Sequence, residues 1–283
     1  MHGKLYVVAT PIGNLADFSF RAIEVLKQVD LIAAEDTRHV IMLLQHYGIN
    51  KPLSSLHQHN EDRASPGIVE RILKGESVAL VSDAGTPLLS DPGLPLVRLA
   101  RLEGIEVIPI PGACALIAAL SVSGLPVSRF SFEGFLPRTS SARKNFFLNK
   151  LNDDSTWAFY ESSHRIEAAL ADMLEIFPAE HQIVIAREIT KLHETIVKGE
   201  LTQLADLVKT NDNMRKGEFV VIVAGLSHAD EKHEINDEQQ RILNLLLNEC
   251  SIKTAVSLAA DITGQRKKLL YQKALEIQGQ TIS

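Results

Sequence analysis

The feature that most constrains this chain is a recurring unit, in which a short apolar run stops at a loop rich in Gly, Pro, Asp or Thr and helical spacing follows. Lys4 to Ala9 (KLYVVA) reads as a buried strand ending at Thr10-Pro11-Ile12-Gly13-Asn14. Ser19 to Val29 then places Ala22, Ile23, Val25, Leu26 and Val29 at helical spacing. The unit recurs with Leu31 to Ala34 and a helix from about Thr37 to Tyr47 closed by Gly48, and again with Val78 to Ser82 and a helix near Pro92 to Glu103. Ile105 to Ile110 is a further strand, followed by Pro111-Gly112 and an apolar helix through Leu120. Parallel strands need long crossovers, and helices supply them, so this alternation predicts a mostly parallel sheet covered on both faces.

The texture changes after Gly124-Leu125-Pro126. Phe130 to Phe135, Thr156 to Tyr160, Gln182 to Ala186, Thr195 to Lys198 and Glu218 to Ala224 are strand-like, with helices near Ala142 to Leu151 and Arg165 to Ile176. These predict a second α/β domain with a mixed sheet. Ser227 to Glu238 is polar and acidic and reads as a linker, and three short helices follow, about Asp237 to Asn248, Ile252 to Ile262 and Gln265 to Ile277. The expected division is residues 1–120, 121–227, a linker at 228–238, and a small helical domain at 239–283. In the tail, Ala255, Leu258, Ala259 and Ile262 are expected to form one apolar stripe and Leu269, Leu270, Ala274 and Ile277 another, as in a small helix-turn-helix-like bundle.

A chain of 283 residues exceeds what one compact core usually organises. No apolar run approaches the ~18 to 20 residues of a membrane span, and the apolar run near the start is too short for a signal peptide, so the expected compartment is the cytoplasm with no membrane partner. Cys114 and Cys250 are too few for a disulfide framework and are not spaced as metal ligands. The net charge of −6 argues against a surface that grips nucleic acid everywhere. From Ser251 onward, however, five basic residues (Lys253, Arg266, Lys267, Lys268 and Lys273) face two acidic ones (Asp261 and Glu276), a balance of +3 that leaves −9 for the rest.

Ligands of open α/β sheets bind outside the carboxyl ends of the strands. The least ordinary loops lie there: TPIGN after the first strand, AEDTR after the second, SDAGTP before SDPG, and PGACA. None is a glycine-rich cradle for pyrophosphate or triphosphate. A nucleoside without phosphates suits them better, and S-adenosylmethionine is such a ligand. Backbone amides and apolar walls can hold its adenosine, polar groups its amino-acid end, and carbonyl oxygens or a carboxylate its sulfonium.

TPIGNL, AEDTR, SDAGTP with LLSDPG, PGACA, SGLP, GFLP, YESSHR, AREITKLHE and KGEFVVIV, in this order and spacing, resemble the tetrapyrrole methylase superfamily, from about Leu5 to Leu226 and on into the tail. Within it the chain is most similar to the branch directed at small-subunit ribosomal RNA. Many tetrapyrrole-directed relatives carry Gly-Asp-Pro where this chain has Ala84-Gly85-Thr86, and Ser163 stands where the branch often has Pro in Tyr-Glu-x-Pro-His-Arg. The resemblance implies two α/β domains with S-adenosylmethionine in the cleft between them, usually in a homodimer. It also implies methyl transfer to the 2′-oxygen of a cytidine ribose in the decoding region of 16S ribosomal RNA, naked or in the small subunit.

The residues that this reading selects each have a bland alternative. For the donor, Pro11, Asp83, Ala84, Gly85, Thr86, Gly112, Ala113, Cys114, Tyr160 and Arg187 are expected near the pocket. Otherwise Pro11 is a loop proline, Asp83 a turn or helix cap, and Gly112-Ala113 a tight strand-to-helix turn. Cys114 sits near a helix start, but methyl transfer from a sulfonium needs no covalent enzyme intermediate, so a small side chain explains it better than a nucleophile. A ribose hydroxyl is a poor nucleophile at neutral pH and benefits from a group that takes its proton. Glu35, Asp36, Glu161 and His164 are the candidates, against helix-start charges and capping. Arg38, Arg138, Arg143, Lys144, Arg165 and Arg187 are candidates to hold phosphates around the target, as are Arg266, Lys267 and Lys268 in the tail. His57 and His59 would share one face of a strand, but they lack a third ligand and no metal site is expected. Two other readings stay open: C-methylation of a tetrapyrrole or methylation of a modified protein histidine, and a non-catalytic RNA-binding assembly factor that keeps the pocket.

Overall fold

The structure, a computed structural model, describes residues 2–225 and 235–280, with side chains of the last helix as far as residue 277. It divides into two units, residues 1–224 and 225–283. Most of the expected acidic linker, with His228 and His233, lies outside the described residues.

The first unit begins with β1 (Leu5–Val8), α1 (Phe20–Gln28), β2 (Leu31–Ala34), α2 (Thr37–His46), β3 (Leu53–Ser55), α3 (Glu61–Leu73), β4 (Val78–Val81), α4 (Leu94–Leu102), β5 (Val107–Ile110) and α5 (Ala115–Val122). The strands form an all-parallel sheet in the order β3-β2-β4-β1-β5. Alternate strand residues point to opposite faces. Val8, Ile32, Ala34, Ala79 and Val81 meet Ala22 and Leu26 of α1 and Val40 and Leu44 of α2. Leu5, Leu31, Ala33, Val78 and Leu80 meet Ile68, Val69 and Ile72 of α3 and Leu96 and Ala100 of α4. Ser19 and Asp36 cap α1 and α2 by accepting from the backbone N–H groups of Ala22 and Arg38.

The sequence pattern does not announce β3 or α3. The strand is only three residues long, and Pro66-Gly67 interrupts the helical spacing of α3, which burial of Ser65, Ile68, Val69 and Ile72 sustains. His57 and His59 therefore do not lie on a strand. They occupy the turn between β3 and α3, where the backbone N–H groups of Asn60 and Glu61 donate to the carbonyl of His57.

The second sheet contains β6 (Phe130–Phe135), β7 (Thr156–Ser162), β8 (Gln182–Arg187), β9 (Thr195–Glu200) and β10 (Glu218–Val223), with α6 (Ser140–Lys150), α7 (Ile166–Leu174) and α8 (Leu201–Thr210). Its order is β6-β7-β10-β8-β9, parallel between β6 and β7 and antiparallel elsewhere, which is the mixed sheet expected. The helix α8 has no sequence signal of its own start, because no turn residue separates it from Glu200. On one face Ala158, Val184, Ala186, Val220 and Ile222 pack on Leu116, Ala119 and Leu120, so α5 joins the two sheets. On the other, Trp157 stacks on Phe159 and meets Phe147 and Phe177.

The second unit consists of α9 (Asp237–Glu249), α10 (Ile252–Thr263) and α11 (Lys267–Gln280). Asn236 and Gln239 form a capping box at the start of α9, and Gly264 closes α10 in the left-handed conformation. Leu243, Val256, Ala259, Leu270 and Ala274 form its core. The stripe expected on α10 is displaced. Ala255, Val256 and Ala259 are buried, while Leu258 and Ile262 are 42% and 63% exposed, because the buried arc turns towards Val256.

Candidate active site

The carboxyl edge of the first sheet and one edge of the second face each other across a cleft of about 300 Å³. The first sheet supplies Ile12 after β1, Ala84 to Thr86 and Leu89 to Asp91 after β4, and Cys114 and Ala115 after β5. The second supplies Phe135, Tyr160, Glu188, Lys191 and Glu218, among others. Both β7 and β8 run antiparallel to β10, so their ends meet its start at the same edge of the sheet.

The loops are tied to one another. Thr10 and Gly85 exchange backbone hydrogen bonds, and Thr86 Oγ1 donates to the carbonyl of Ala113 at 3.1 Å. The Tyr160 hydroxyl accepts from the backbone N–H of Leu116 at 3.3 Å, linking β7 to the start of α5. Arg187 donates to the carbonyls of Lys216 at 2.6 Å and His193 at 2.9 Å, which pins the loop that follows β8. Among the described residues, the non-glycine positions with positive φ are Leu88, Ser90, Glu188 and Thr190. All four sit in the two loops bordering the cleft, where such strain is maintained only by its surroundings.

The first sheet's edge of the cleft carries a carboxylate cluster. Burial, with Asp91, Asp83 and Asp36 nearby, pushes the Glu35 carboxyl up to about 7. Burial pushes Asp91 up to about 6, against a hydrogen bond from Ser82 that favours ionisation and with further upward pressure from Asp83. Asp36 lies well below the usual carboxylate range because the Arg38 side chain and backbone donate to it. Asp83 accepts from the Asp36 backbone N–H at 2.9 Å and lies 3.3 Å from His39 Nδ1. Across the cleft, Lys191 Nζ lies 2.9 Å from Glu188 and 2.8 Å from Glu218. Burial opposes ionisation of Glu188, but the Lys191 ammonium and the Glu218 backbone N–H outweigh it, and the group lies below its ordinary value. Burial pushes the Tyr160 phenol up to about 12, so it remains a neutral hydroxyl.

Of the residues expected around the donor, Ala84, Gly85, Thr86, Cys114 and Tyr160 line the cleft. Pro11, Asp83, Gly112, Ala113 and Arg187 are not part of that lining but adjoin or support it. Arg187 is buried, and its guanidinium is engaged by two backbone carbonyls. Of the expected proton acceptors, only Glu161 borders the cleft, and its side chain is wholly enclosed. Strand alternation sends its carboxylate to the face of Trp157 and Phe159, where it accepts from the Ser162 N–H at 2.8 Å and lies 3.3 Å from Arg165. Glu35 lies outside the lining but within electrostatic reach of Asp91, Asp36 faces Arg38, and His164 is exposed outside the lining.

Among the expected phosphate contacts, Arg38 and Arg138 are exposed, and Lys144 pairs with Glu175 at 2.6 Å. Arg165 donates to the carbonyls of Leu136 and Pro137. Arg143 is turned inward. Its side chain is 5% exposed and its Nε donates to Asp172 at 2.7 Å, which leaves no face for a phosphate. Arg266, Lys267 and Lys268 are exposed on the second unit, with Lys267 Nζ 3.0 Å from Ser257 Oγ. The expected site residues do not include Phe135, Asp91 or Glu218. Each lies in a loop or strand end whose motif is visible in sequence, but only the facing of the two sheets brings them together.

The family model described as Tetrapyrrole (Corrin/Porphyrin) Methylases matches residues 4–205. The chain belongs to the tetrapyrrole methylase family. The tail of this methylase, residues 233–278, matches a model described as the RsmI C-terminal HTH domain. Over nearly its whole length the methylase is similar to proteins named ribosomal RNA small subunit methyltransferase I. It is 51% identical to that of Pseudomonas aeruginosa over 99% of both chains. It is 48% identical to that of Escherichia coli O157:H7 over 98% of this chain and 96% of the relative. Its fold is shared with the methyltransferase CobJ, at TM-score 0.59 and 19% identity over 80% of this chain and 95% of that one. It is also shared with uroporphyrin-III C-methyltransferase from Thermus thermophilus complexed with S-adenyl homocysteine, at TM-score 0.52 and 15% identity over 80% of this chain and all of that one.

Proposed function

We propose that this protein is an S-adenosylmethionine-dependent methyltransferase that methylates the 2′-hydroxyl of a cytidine ribose in 16S ribosomal RNA. The observation that carries the reading is the near-complete alignment, at about half identity, with ribosomal RNA small subunit methyltransferase I, tail included. The cleft fits such a donor. Ile12, Ala115 and Val220 offer apolar wall to an adenosine, and Asp91, Glu188 and Glu218 offer carboxylates to a ligand with a sulfonium and an ammonium. When bound, the donor supplies an electrophilic methyl group.

The chain's own part is to align and enclose. Displacement at a methyl carbon needs the acceptor oxygen in line at about 3 to 3.5 Å, so rigid loops serve the rate directly. The Thr10–Gly85 and Thr86–Ala113 contacts and the Arg187 clamp supply that rigidity. Asp91 lines the cleft and is held near neutrality in its titration, which suits a carboxylate that receives the ribose proton at its oxygen. The basic tail serves RNA phosphates and offsets the acidic remainder of the chain. The protein works as a homodimer in the cytoplasm, and among the described residues no helix is long and apolar enough to cross a membrane.

Tritiated S-adenosylmethionine, incubated with small ribosomal subunits that lack the modification, should deliver label to 16S RNA. In a parallel reaction with uroporphyrinogen as the acceptor, label on the macrocycle instead supports the tetrapyrrole reading, and no transfer in either reaction supports the assembly factor.

A further inference from the structure

Phe135 is 55% exposed although it stands at the end of a strand beside a closed apolar core, and it lines the cleft. A bulge puts it there. The register between β6 and β7 shifts after Phe132, so that Phe132 pairs with Ala158 and Phe135, rather than Gly134, pairs with Tyr160. Gly134 within it takes φ +64°, a left-handed conformation that glycine adopts at no steric cost. Without the extra residue, alternation would leave glycine at the cleft and send Phe135 to the opposite face, with Trp157 and Phe159. With it, Phe132, Phe135 and Tyr160 share the cleft side, their rings edge-on at 4.8 Å between Phe132 and Tyr160 and 5.8 Å between Phe135 and Tyr160. The phenol of Tyr160 is anchored in turn on α5. The result is a braced aromatic ring whose free area faces the cleft at its rim.

We infer that Phe135 is a stacking platform for the base of the target nucleotide. Sequence-specific RNA recognition mostly targets single-stranded loops and ends, whose unstacked bases are commonly received by an aromatic side chain, and a ring at the rim of the cleft is placed to receive the base while its ribose enters. The exposure of Phe135 assigns it to the incoming acceptor rather than to the enclosed adenosine. The inference rests on the RNA-methylating reading above, and the parent enzyme's transfer of methyl to small subunits is therefore measured first. If the parent transfers none, both readings fall together.

With an active parent, kcat/KM for unmodified small subunits is compared with donor affinity by calorimetry. Phe135→Ala should lower kcat/KM roughly ten- to hundred-fold, the loss of one stacked base, while donor Kd stays within about two-fold. Phe135→Trp should retain activity, and Phe135→Leu, apolar but without a π face, should remain low. Equal activity of the Ala or Leu variant and the parent overturns the platform. So does a comparable loss of donor affinity in Phe135→Ala, which would place the ring on the donor's adenine.

Discussion

Thr10 and Gly85 donate to each other's carbonyl oxygens, at 2.8 Å from Thr10 and 3.1 Å from Gly85, although they lie in the different loops that follow β1 and β4. This bridge fixes the floor of the cleft, and it requires φ +83° at Gly85, where an added Cβ would lie 3.2 Å from Ile12 Cγ2. Gly85→Val should therefore destabilise the protein by about 1–2 kcal/mol through its left-handed backbone alone. It should also weaken donor binding about ten-fold or more, because the loop must move. Thermal unfolding and calorimetric titration check both effects. Unchanged donor affinity in a folded variant would separate the bridge from the pocket.

The carboxylate cluster makes stability depend on pH. The Glu35 carboxyl is raised from 4.5 to about 7 and the Asp91 carboxyl from 3.8 to about 6, mainly by burial. The folded state thus holds these protons more tightly than the unfolded chain, so the associated stability is full below the ordinary values and is lost as pH rises through 6 and 7. Unfolding of the ligand-free protein should occur more readily at about pH 8 than at about pH 5. In Glu35→Gln, which cannot ionise, this slope should be shallower. A variant with the parent's slope would show that Glu35 titrates normally.

Arg143 and Asp172 form a buried pair, with Ser140 also donating to the carboxylate at 2.8 Å. Arg143→Ala leaves the buried Asp172 carboxylate with only Ser140 and the ammonium of Lys144, 3.7 Å away, so it should cost about 3 kcal/mol of stability. At a temperature where the variant remains folded, its salt dependence of RNA binding should match that of the parent. A reduced slope with little loss of stability would instead make Arg143 a phosphate contact.

Much of this was legible in the chain. TPIGN, SDAGTP and PGACA mark loops at strand ends because apolar runs stop abruptly at Gly and Pro, and the structure puts residues of each at or behind the cleft. The inward turn of Glu161 was not legible, since it depends on strand register and on Arg165 one helical turn away. Phe135 was hidden by its bulge, because simple alternation along Phe130 to Phe135 assigns it to the wrong face. On α10 the apolar residues cover more than half of the helix circumference, so only packing against Leu243 and Leu270 selects Val256 over Leu258.

The tail offers Arg266, Lys267 and Lys268 together at the start of α11 and exposed to solvent. If they meet RNA phosphates, changing all three to Gln should reduce the magnitude of the logarithmic salt slope of binding by about 2 to 3. Donor affinity should not change. A triple variant that binds like the parent across a salt series would leave the tail a structural cap.

The position of the transferred methyl group tests the central claim most directly. A methyl on the ribose 2′-oxygen removes the nucleophile that alkali uses to cleave RNA, whereas a methyl on the base does not. 16S RNA labelled by this enzyme should therefore yield its tritium in an alkali-resistant dinucleotide that begins with 2′-O-methylcytidine. Label recovered in an alkali-released mononucleotide methylated on its base, or in no RNA product at all, would contradict the account.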